Sequence, residues 1–356
     1  SQVFVIGTIV IISQLNFIRD QDLGFAPEAI INIEIPENNN SKKATLKTEI
    51  ERMNGVEQVS LIYTNPTSGS VSVTDFHLPN SADEYLSALK YGDANYLDIF
   101  DISILEGRPL GNSDTINQIV VNEEWVKYSG MTSNDEAVGT MVRVHGREVP
   151  VVGVMQDFHS TSLRNKLTPL MLMNNINSYR RLAIKLNLSN LDQTTAQIRN
   201  TWKELFPEYD FEYRFVDDQI AEFYEGVSDM AFIFGFFSMI AILIGCLGLF
   251  GLASFMVNQK IKEIGVRKVL GASVGSILRL FSKEYFILVV VAFLFAAPIA
   301  GYIMEQWLQN FEYKINMGWV IFASGIIVTL AISMLTVSYK SIRAATANPV
   351  DSLRTE

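Results

Sequence analysis

KIKEIGVRKVLGAS, residues 260–273, lies between two of the most apolar stretches of this 356-residue chain. Four windows contain no Asp, Glu, Lys or Arg: residues 1–18, 230–259, 285–304 and 315–339. A helix needs about 20 apolar residues to cross a bilayer, so the last three windows predict transmembrane helices. The first predicts a fourth helix, truncated at its start. The quoted stretch is therefore a basic connection between two membrane helices.

The first window has no initiator Met and no basic flank before it, which favours a shortened helix over a signal peptide. We expect the natural polypeptide to continue upstream. Cys246 is the single cysteine and lies in the second window, so the sequence predicts neither a disulfide nor a cysteine-based metal site.

Charge predicts the orientation of the helices. Residues 19–228 carry 18 Lys and Arg against 31 Asp and Glu, whereas the rest of the chain carries 10 against 7. Basic residues collect in 258–284 and 340–356, which the positive-inside rule places in the cytoplasm. The acidic region 19–228 is then extracytoplasmic, and its negative charge argues against a nucleic-acid partner.

The outer region predicts two β-α-β units. In the first, alternation at Ile31, Ile33 and Ile35 and again at Val59, Leu61 and Tyr63 is typical of half-buried strands, with a helical repeat ending at Gly55 between them. The second unit has the same pattern. Its strands are RRLAIKLN, residues 180–187, and FEYRFV, residues 211–216, and its helix carries Ile198, Trp202 and Leu205.

Two such units predict a ferredoxin-like sheet with helices on one face. The residues between them become an inserted lobe of short strands, among them QIVVN at 118–122, TMVRVHG at 140–146 and EVPVVGVM at 148–155. Two unrelated α+β domains in series remain the alternative, because strand order cannot be read from one sequence.

The connection itself predicts a helix, an elbow and a second helix. Ile261, Ile264 and either Val269 or Leu270 give a basic helix an apolar stripe. Gly271 stands where a C-cap glycine is expected, and Ser273 stands where the next helix needs an N-cap. Such an elbow lies at the membrane surface and faces lipid phosphates or an acidic partner. An ordinary positive-inside loop without a partner is the alternative.

Within the quoted stretch, KEIGVRKVLGAS, residues 262–273, resembles the signature of FtsX-type ABC transporter permeases, and ATANPVDSLRTE, residues 345–356, resembles their closing tail. Three outer segments resemble landmarks of the MacB-type periplasmic core domain: ANYLDIFDISILEGRPL, IVVNEEWV and VVGVMQDFHSTSLRNKLTPLML. The resemblance covers nearly the whole chain, and several ordered motifs make it specific.

The resemblance implies an α+β membrane protein of the cell inner membrane, with four transmembrane helices and an extracytoplasmic domain between helices one and two. Its domains are a truncated helix 1 at 1–18, a periplasmic core domain at 19–228 and an FtsX-like permease domain at 229–356. The core domain comprises a porter-like lobe, residues 25–65 and 178–218, and an inserted lobe, residues 66–177. The permease helices fall at about 230–257, 285–304 and 316–339, with a coupling helix at 259–271.

In that family the coupling helix docks on a cytoplasmic ATPase. Carried over by position, the coupling contacts are Lys262, Glu263, Ile264, Gly265, Arg267, Lys268, Leu270 and Gly271. The 356 residues contain no G-x-x-x-x-G-K-[ST] phosphate loop, so we expect no ATPase activity and no bound cofactor in this chain, with ATP and Mg²⁺ in the partner. A second permease unit is also expected, either in a homodimer or as another half of one polypeptide, and a periplasmic adaptor is a further partner.

The implied function is mechanical coupling of ATP hydrolysis to the outer domain, for export or efflux of peptide, lipid-linked or amphiphilic drug substrates. An ATPase-driven signalling module that regulates an envelope hydrolase or a sensor is the alternative. Residues 217–229 are interpreted either as an outward stalk of the second helix or as a helix packed on its own domain. Gly245, Gly248 and Gly251 give a smooth face for helix packing.

Other chemistry has weak support. Asp157 and His159 stand two residues apart, so their side chains diverge on a strand or helix, and we expect them to cap a turn rather than to form a metal or acid–base site. A membrane-anchored enzyme is the third hypothesis, and it depends on this pair. The predicted spans contain no charged residue, which disfavours a polar pore through the bilayer.

Overall fold

The computed structural model describes residues 1–79, 83–260, 263, 266–267 and 270–346. Two compact units make up the chain: an outer domain of Gln21–Tyr224, and a membrane unit of Ser1–Asp20 together with Glu225–Glu356. The elements in chain order are α1 (Gln2–Arg19), β1 (Ile30–Glu34), α2 (Asn40–Glu51), β2 (Val56–Ile62), β3 (Ser72–His77), β4 (Tyr85–Tyr91), α3 (Tyr96–Ile99), β5 (Ile104–Gly107), β6 (Ile119–Asn122), α4 (Glu123–Tyr128), α5 (Asn134–Ala137), β7 (Met141–Val144), β8 (Arg147–Met155), β9 (Leu170–Met173), β10 (Arg181–Leu186), α6 (Leu191–Leu205), β11 (Arg214–Phe215), α7 (Val216–Glu222), α8 (Glu225–Gln259), α9 (Val274–Leu308) and α10 (Trp319–Thr346).

The first lobe of the outer domain is a four-stranded antiparallel sheet in the order β11-β1-β10-β2. Its alternating apolar residues share one buried cluster with residues of α2 and α6. The members of this cluster include Ile31, Ile33, Ile35, Leu46, Ile50, Val59, Leu61, Leu182, Ile184, Leu186, Ile198 and Trp202. This strand order, with both helices on one face, confirms the predicted ferredoxin-like lobe.

Local signals position α2. Asn39 caps its first turn, accepting a hydrogen bond from the Lys42 backbone N–H at 3.1 Å. After the helix, Gly55 takes a left-handed backbone angle, with φ at +91°, where a side chain would be strained. The chain can therefore turn directly from α2 into β2.

The predicted strand at 211–216 is largely wrong. Only Arg214 and Phe215 pair with β1, at Asn32 and Ile31. Phe211 and Tyr213 do pack against the apolar cluster on the expected face. The predicted inward-facing side chains are therefore correct. The backbone of residues 211–213 does not hydrogen-bond to β1, because the packing of Phe211 on Trp202 holds this segment instead.

The second lobe is a seven-stranded sheet in the order β5-β8-β6-β9-β4-β3-β7. A further β7–β8 pairing closes six of these strands into a ring around an apolar core that contains Phe76, Trp125 and Met171. The segments predicted as strands at 118–122, 140–146 and 148–155 become β6, β7 and β8, as expected. Helix α3 lies between β4 and β5 along the chain. It packs against β2 and β10 of the first lobe.

Within the described residues, the membrane unit has four helices long and apolar enough to cross a membrane: Gln2–Arg19, Glu225–Gln259, Ser282–Leu308 and Trp319–Tyr339. Two glycines, both missed in the sequence, allow these helices to approach closely. A Cβ on Gly7 would lie 3.1 Å from the Phe234 ring, and one on Gly325 would lie 2.9 Å from Ile6. The backbone of α1 therefore packs near α8, and that of α10 packs near α1.

A continuous stalk through residues 217–229 is not observed. Helix α7 ends at Glu222, and α8 begins only at Glu225. The Tyr224 hydroxyl accepts a hydrogen bond from the Leu163 N–H at 3.1 Å, and the Phe223 ring lies 3.3 Å from the Cβ position of Gly69. Residues 216–224 therefore belong to the outer domain, as the alternative interpretation expected.

Gly153 is a point where the fold depends on the missing side chain. A Cβ there would lie 2.3 Å from the Arg108 carbonyl oxygen, which is backbone and has no rotamer by which to move away. We expect Gly153→Ala to lower the free energy of unfolding of the outer domain by about 3 kcal/mol. Denaturation monitored by hydrogen exchange at the β8 amides measures this change.

The matched control is Gly111→Ala in the same lobe. There the nearest atom is the end of the flexible Gln118 side chain, at 3.1 Å, so we expect a loss below about 1 kcal/mol. Equal losses at the two glycines would contradict the assigned close approach.

Candidate functional site

The elbow between α8 and α9 presents an exposed ion pair. Arg267 Nη2 lies 2.7 Å from Glu263 Oε1, and both side chains are a little under half exposed. The pair has the predicted i, i+4 spacing. An exposed pair of this kind stabilises a helix by only a few tenths of a kcal/mol, so most of the hydrogen-bonding capacity of both groups stays available to a partner.

A Schellman turn follows the pair. The Ala272 N–H donates to the Arg267 carbonyl at 2.9 Å, and Gly271 between them has φ at +88°. Leu270, just before the glycine, is 80% exposed. The predicted role of Gly271 as the residue that ends the helix is therefore confirmed.

Ser273 begins the next helix, as predicted. Its Oγ accepts a hydrogen bond from the Ser276 backbone N–H at 3.3 Å and so caps α9. Only Ala272 separates this cap from the left-handed glycine. The two caps together fix a sharp reversal of the chain.

The ends of α8 and α9 are joined beside this reversal. Lys260 Nζ lies 3.2 Å from Glu284 Oε1, and the Tyr285 hydroxyl donates to the Met256 sulfur at 3.3 Å. Ala253, Tyr285 and Val337 form a small buried cluster next to these contacts. A force on the elbow would therefore reach both long helices.

Four predicted coupling residues lie outside the described residues: Lys262, Ile264, Gly265 and Lys268. The structure describes the other four, which lie within nine consecutive positions that end at the helix cap: Glu263, Arg267, Leu270 and Gly271. They bring together one acid, one base and one exposed apolar side chain. Such a surface can bind a protein.

Among the described residues, no atom packs directly against the glycine face of α8. A Cβ at Gly245, Gly248 or Gly251 would have no atom within 4 Å. Gly245 and Gly248 line an open, mainly apolar groove of about 470 Å³ that also contacts α9 and α10. Packing of another chain on these glycines stays a prediction.

Asp157 has a structural role. Its Oδ1 accepts the Glu124 N–H at 2.9 Å, which caps the first turn of α4, and its Oδ2 lies 3.7 Å from Lys127. Burial raises the pKa of Asp157 and lowers that of His159. In the part of the chain that the structure describes, no group of three or more His, Cys, Asp or Glu is placed to hold a metal ion.

The outer domain contains two buried polar networks that sequence reasoning missed. In one, the Asp93 carboxylate accepts hydrogen bonds from Lys47, Ser60 and two backbone N–H groups. In the other, Lys90 is 1% exposed and donates to the loop after β2. Neither Asp93 nor Lys90 lies in a recognisable motif, so only the three-dimensional contacts identify them.

Two family models match the chain. The MacB-like periplasmic core domain matches residues 3–201, and the FtsX-like permease C-terminal domain matches residues 235–349. Together they cover the outer domain as far as residue 201, and the elbow with the membrane helices on both sides of it from residue 235.

Relatives agree with these matches. The chain is 21% identical over 350 residues to the "Uncharacterized ABC transporter permease YknZ" of Bacillus subtilis (strain 168), covering 95% of this chain and 83% of that protein. It is 27% identical over 213 residues to the "Macrolide export ATP-binding/permease protein MacB" of Aggregatibacter actinomycetemcomitans, covering 56% of this chain and 33% of that protein.

Solved structures of similar domains include the periplasmic region of MacB from Actinobacillus actinomycetemcomitans, with a TM-score of 0.41 and 14% identity, covering 58% of this chain and 97% of that one. The extracellular domain of YknZ gives a TM-score of 0.38 and 14% identity, covering 52% of this chain and 97% of that one.

The matched domains and the four apolar helices make this a multi-pass protein of the inner membrane with an extracytoplasmic domain. The matched models include most of each unit of the fold. The chain therefore belongs to the family of ABC transporter permeases that join a MacB-like periplasmic core domain to an FtsX-like permease domain.

Proposed function

We propose that this chain is a permease subunit whose elbow docks on a separate cytoplasmic ATPase and transmits its movement to the outer domain. The observation that carries the proposal is the exposed cluster of Glu263, Arg267 and Leu270 at the reversal between two 35-residue helices. ATP and Mg²⁺ would be bound by that ATPase. The transmitted movement would drive the export of peptide, lipid-linked or amphiphilic drug substrates.

The geometry of α8 supports mechanical transmission. A helix of 35 residues is about 52 Å long, which exceeds the roughly 30 Å hydrocarbon core of a bilayer. Its first residue, Glu225, directly follows Tyr224, whose hydroxyl is hydrogen-bonded within the outer domain. One continuous helix thus runs from the elbow to the chain segment that is fixed to the outer domain.

A second permease unit completes the proposal. The open groove beside Gly245 and Gly248 would allow a helix of another permease half to approach the α8 backbone. Two permease units would present two elbows to two ATPase subunits, and a periplasmic adaptor would contact the outer domains.

A charge exchange in the elbow tests the docking. Glu263→Lys combined with Arg267→Glu keeps opposite charges four residues apart, so the helix retains an ion pair, while both charges presented to a partner are reversed. We expect the association with the ABC ATPase that co-purifies with this chain to weaken by about tenfold. Co-purification and ATPase activity of the complex in nanodiscs measure the effect.

The control exchanges an exposed ion pair in the outer domain. Glu49 Oε1, in the last turn of α2, lies 3.5 Å from Nη1 of Arg52, which follows the helix, and the two side chains are 50% and 72% exposed. Glu49→Arg with Arg52→Glu should leave ATPase association unchanged. If the elbow exchange also left ATPase association unchanged, the proposed docking at Glu263 and Arg267 would be wrong.

A further inference from the structure

A cleft of about 320 Å³ opens at the edge of the four-stranded sheet in the outer domain. It exists because β11 pairs with β1 at two positions only, and residues 209–213, which precede β11, lie away from β1. Trp202 holds the diverging segment: its Nε1–H donates to the Tyr209 carbonyl at 3.0 Å, and its ring contacts the Phe211 ring. The cleft is therefore built into the packing of the lobe.

A buried amide in the cleft lacks a partner. Asn32 lines the cleft and is 95% buried, since only 5% of its surface is exposed. Its Nδ2 donates to Asn65 Oδ1 at 2.7 Å, whereas its Oδ1 has no hydrogen-bond partner among the described residues. A buried acceptor left unpaired costs about 1–3 kcal/mol, so a donor that reached this oxygen would relieve that cost.

The charges in the cleft also favour a donor. Both cationic side chains in the lining are neutralised, Arg181 by Glu34 at 2.9 Å and Arg214 by Glu222. Two acids of the lining, Asp210 and Glu212, are exposed and have no ion pair or hydrogen bond in the described part of the chain. The two exposed acids of the cleft thus carry negative charge that no cation pairs in the described part of the chain.

Aromatic residues line the same cleft. Trp202 and Tyr209 both contribute to its surface, and Tyr209 is 43% exposed. An aromatic ring attracts a cation near its face and also packs against an apolar group. The lining therefore combines negative charge, a buried acceptor and an aromatic surface.

We propose that this cleft binds a small organic ammonium ion with an apolar body. The ammonium group would lie between Asp210 and Glu212 and direct one N–H toward Asn32 Oδ1, while the apolar body would lie against Tyr209. A ligand of this class matches Asp210 and Glu212 by charge and Asn32 Oδ1 by hydrogen-bonding type. The proposal concerns binding in the outer domain and does not depend on ATPase docking.

A matched set of probes tests the proposal on the full chain in nanodiscs of zwitterionic lipid. Benzylamine, which is cationic at neutral pH, is compared with the isosteric but uncharged benzyl alcohol by titration calorimetry. We expect benzylamine to bind about tenfold more tightly than the alcohol, and its binding to weaken as salt is added. Equal affinity for the two probes would overturn the proposal.

Two variants locate the binding. Asp210→Asn with Glu212→Gln keeps the shape of exposed side chains while removing both charges, and it should weaken benzylamine binding by about tenfold. The control, Asp217→Asn with Asp218→Asn, removes two exposed acids on α7 that do not line the cleft, and its affinity should match that of the wild type. Unchanged binding in the first variant, or equal weakening in both, would overturn the assignment.

Discussion

Replacing Asp93 with alanine is expected to lower the free energy of unfolding of the outer domain by about 4 kcal/mol. The carboxylate is largely buried and accepts four hydrogen bonds. Its donors are Lys47 Nζ at 2.7 Å, Ser60 Oγ at 2.7 Å, the Leu61 N–H at 2.8 Å and the Asn95 N–H at 3.0 Å. Removing the carboxylate would leave the Lys47 ammonium, 18% exposed, without its closest partner and would also leave two backbone donors unpaired.

The position of Asp93 explains why this effect is large. It follows β4 of the second lobe, and its partners Ser60 and Leu61 belong to β2 of the first lobe. The same carboxylate therefore fixes the point where the chain crosses from one lobe to the other, just before α3. Losing the carboxylate should therefore destabilise the contact between the two lobes and not only one local turn.

Hydrogen exchange and urea denaturation of the purified chain measure this change. Asp93→Asn should be intermediate, because an amide oxygen can still accept the backbone N–H groups but no longer carries charge. Glu57→Ala removes an exposed acid from β2 and should change the stability by less than about 0.5 kcal/mol. A loss in Asp93→Ala no larger than that of Glu57→Ala would show that the network contributes little.

Periodicity predicted the core of the first lobe because each signal is local. Ile31, Ile33 and Ile35 alternate within one strand, and the spacing of Ile198 and Trp202 fits one face of a helix. Gly271 and Ser273 were predictable for the same reason: a helix cap depends on the few residues around it.

Contacts between distant segments could not be predicted in this way. Asn32 lies between two buried isoleucines, and alternation places it on the opposite face of β1, where the sequence predicts solvent. That face is covered instead, since Asn32 is 95% buried beside Asn65. Its partner comes from a loop 33 residues away along the chain, and no short-range pattern records such a contact.

Strand pairing and glycine function show the same limit. The pattern of Phe211 and Tyr213 predicted which side packs inward, but the partner of a strand is a tertiary property, and Trp202 holds this segment in place of β1. Gly7 and Gly325 serve close helix packing without forming any motif, whereas the regular spacing of Gly245, Gly248 and Gly251 leads to an open groove.

The second large effect concerns the buried lysine of β4. Lys90 Nζ lies 2.8 Å from the Asn65 carbonyl, 2.9 Å from Ser68 Oγ and 3.2 Å from Thr64 Oγ1. Burial, and to a smaller extent repulsion from Arg181, lowers the pKa of Lys90 from 10.5 to about 7. The neutral amine fits this site, because it can donate two of these hydrogen bonds and accept the third from a hydroxyl.

The direction of the pH effect follows from this shift. Between the folded pKa near 7 and the unfolded value of 10.5, the unfolded chain holds a proton on Lys90 that the folded chain does not. Raising the pH through this window therefore favours folding, whereas below it both states are protonated and the contribution is constant. We expect the stability of the wild type, relative to Lys90→Met, to rise by about 3 kcal/mol between pH 7 and pH 9.5.

Methionine suits this comparison because it keeps an unbranched chain of similar length while removing the amine, so differences in packing should cancel as pH varies. Urea denaturation of both proteins across the pH range gives the difference directly, since every other titrating group is common to the two. Lys203→Met, at an exposed position of α6, should show no such slope. A flat difference between wild type and Lys90→Met up to pH 9.5 would mean that the folded protein keeps a charged ammonium at this site, stabilised by its three oxygen neighbours, and burial would then not control its protonation.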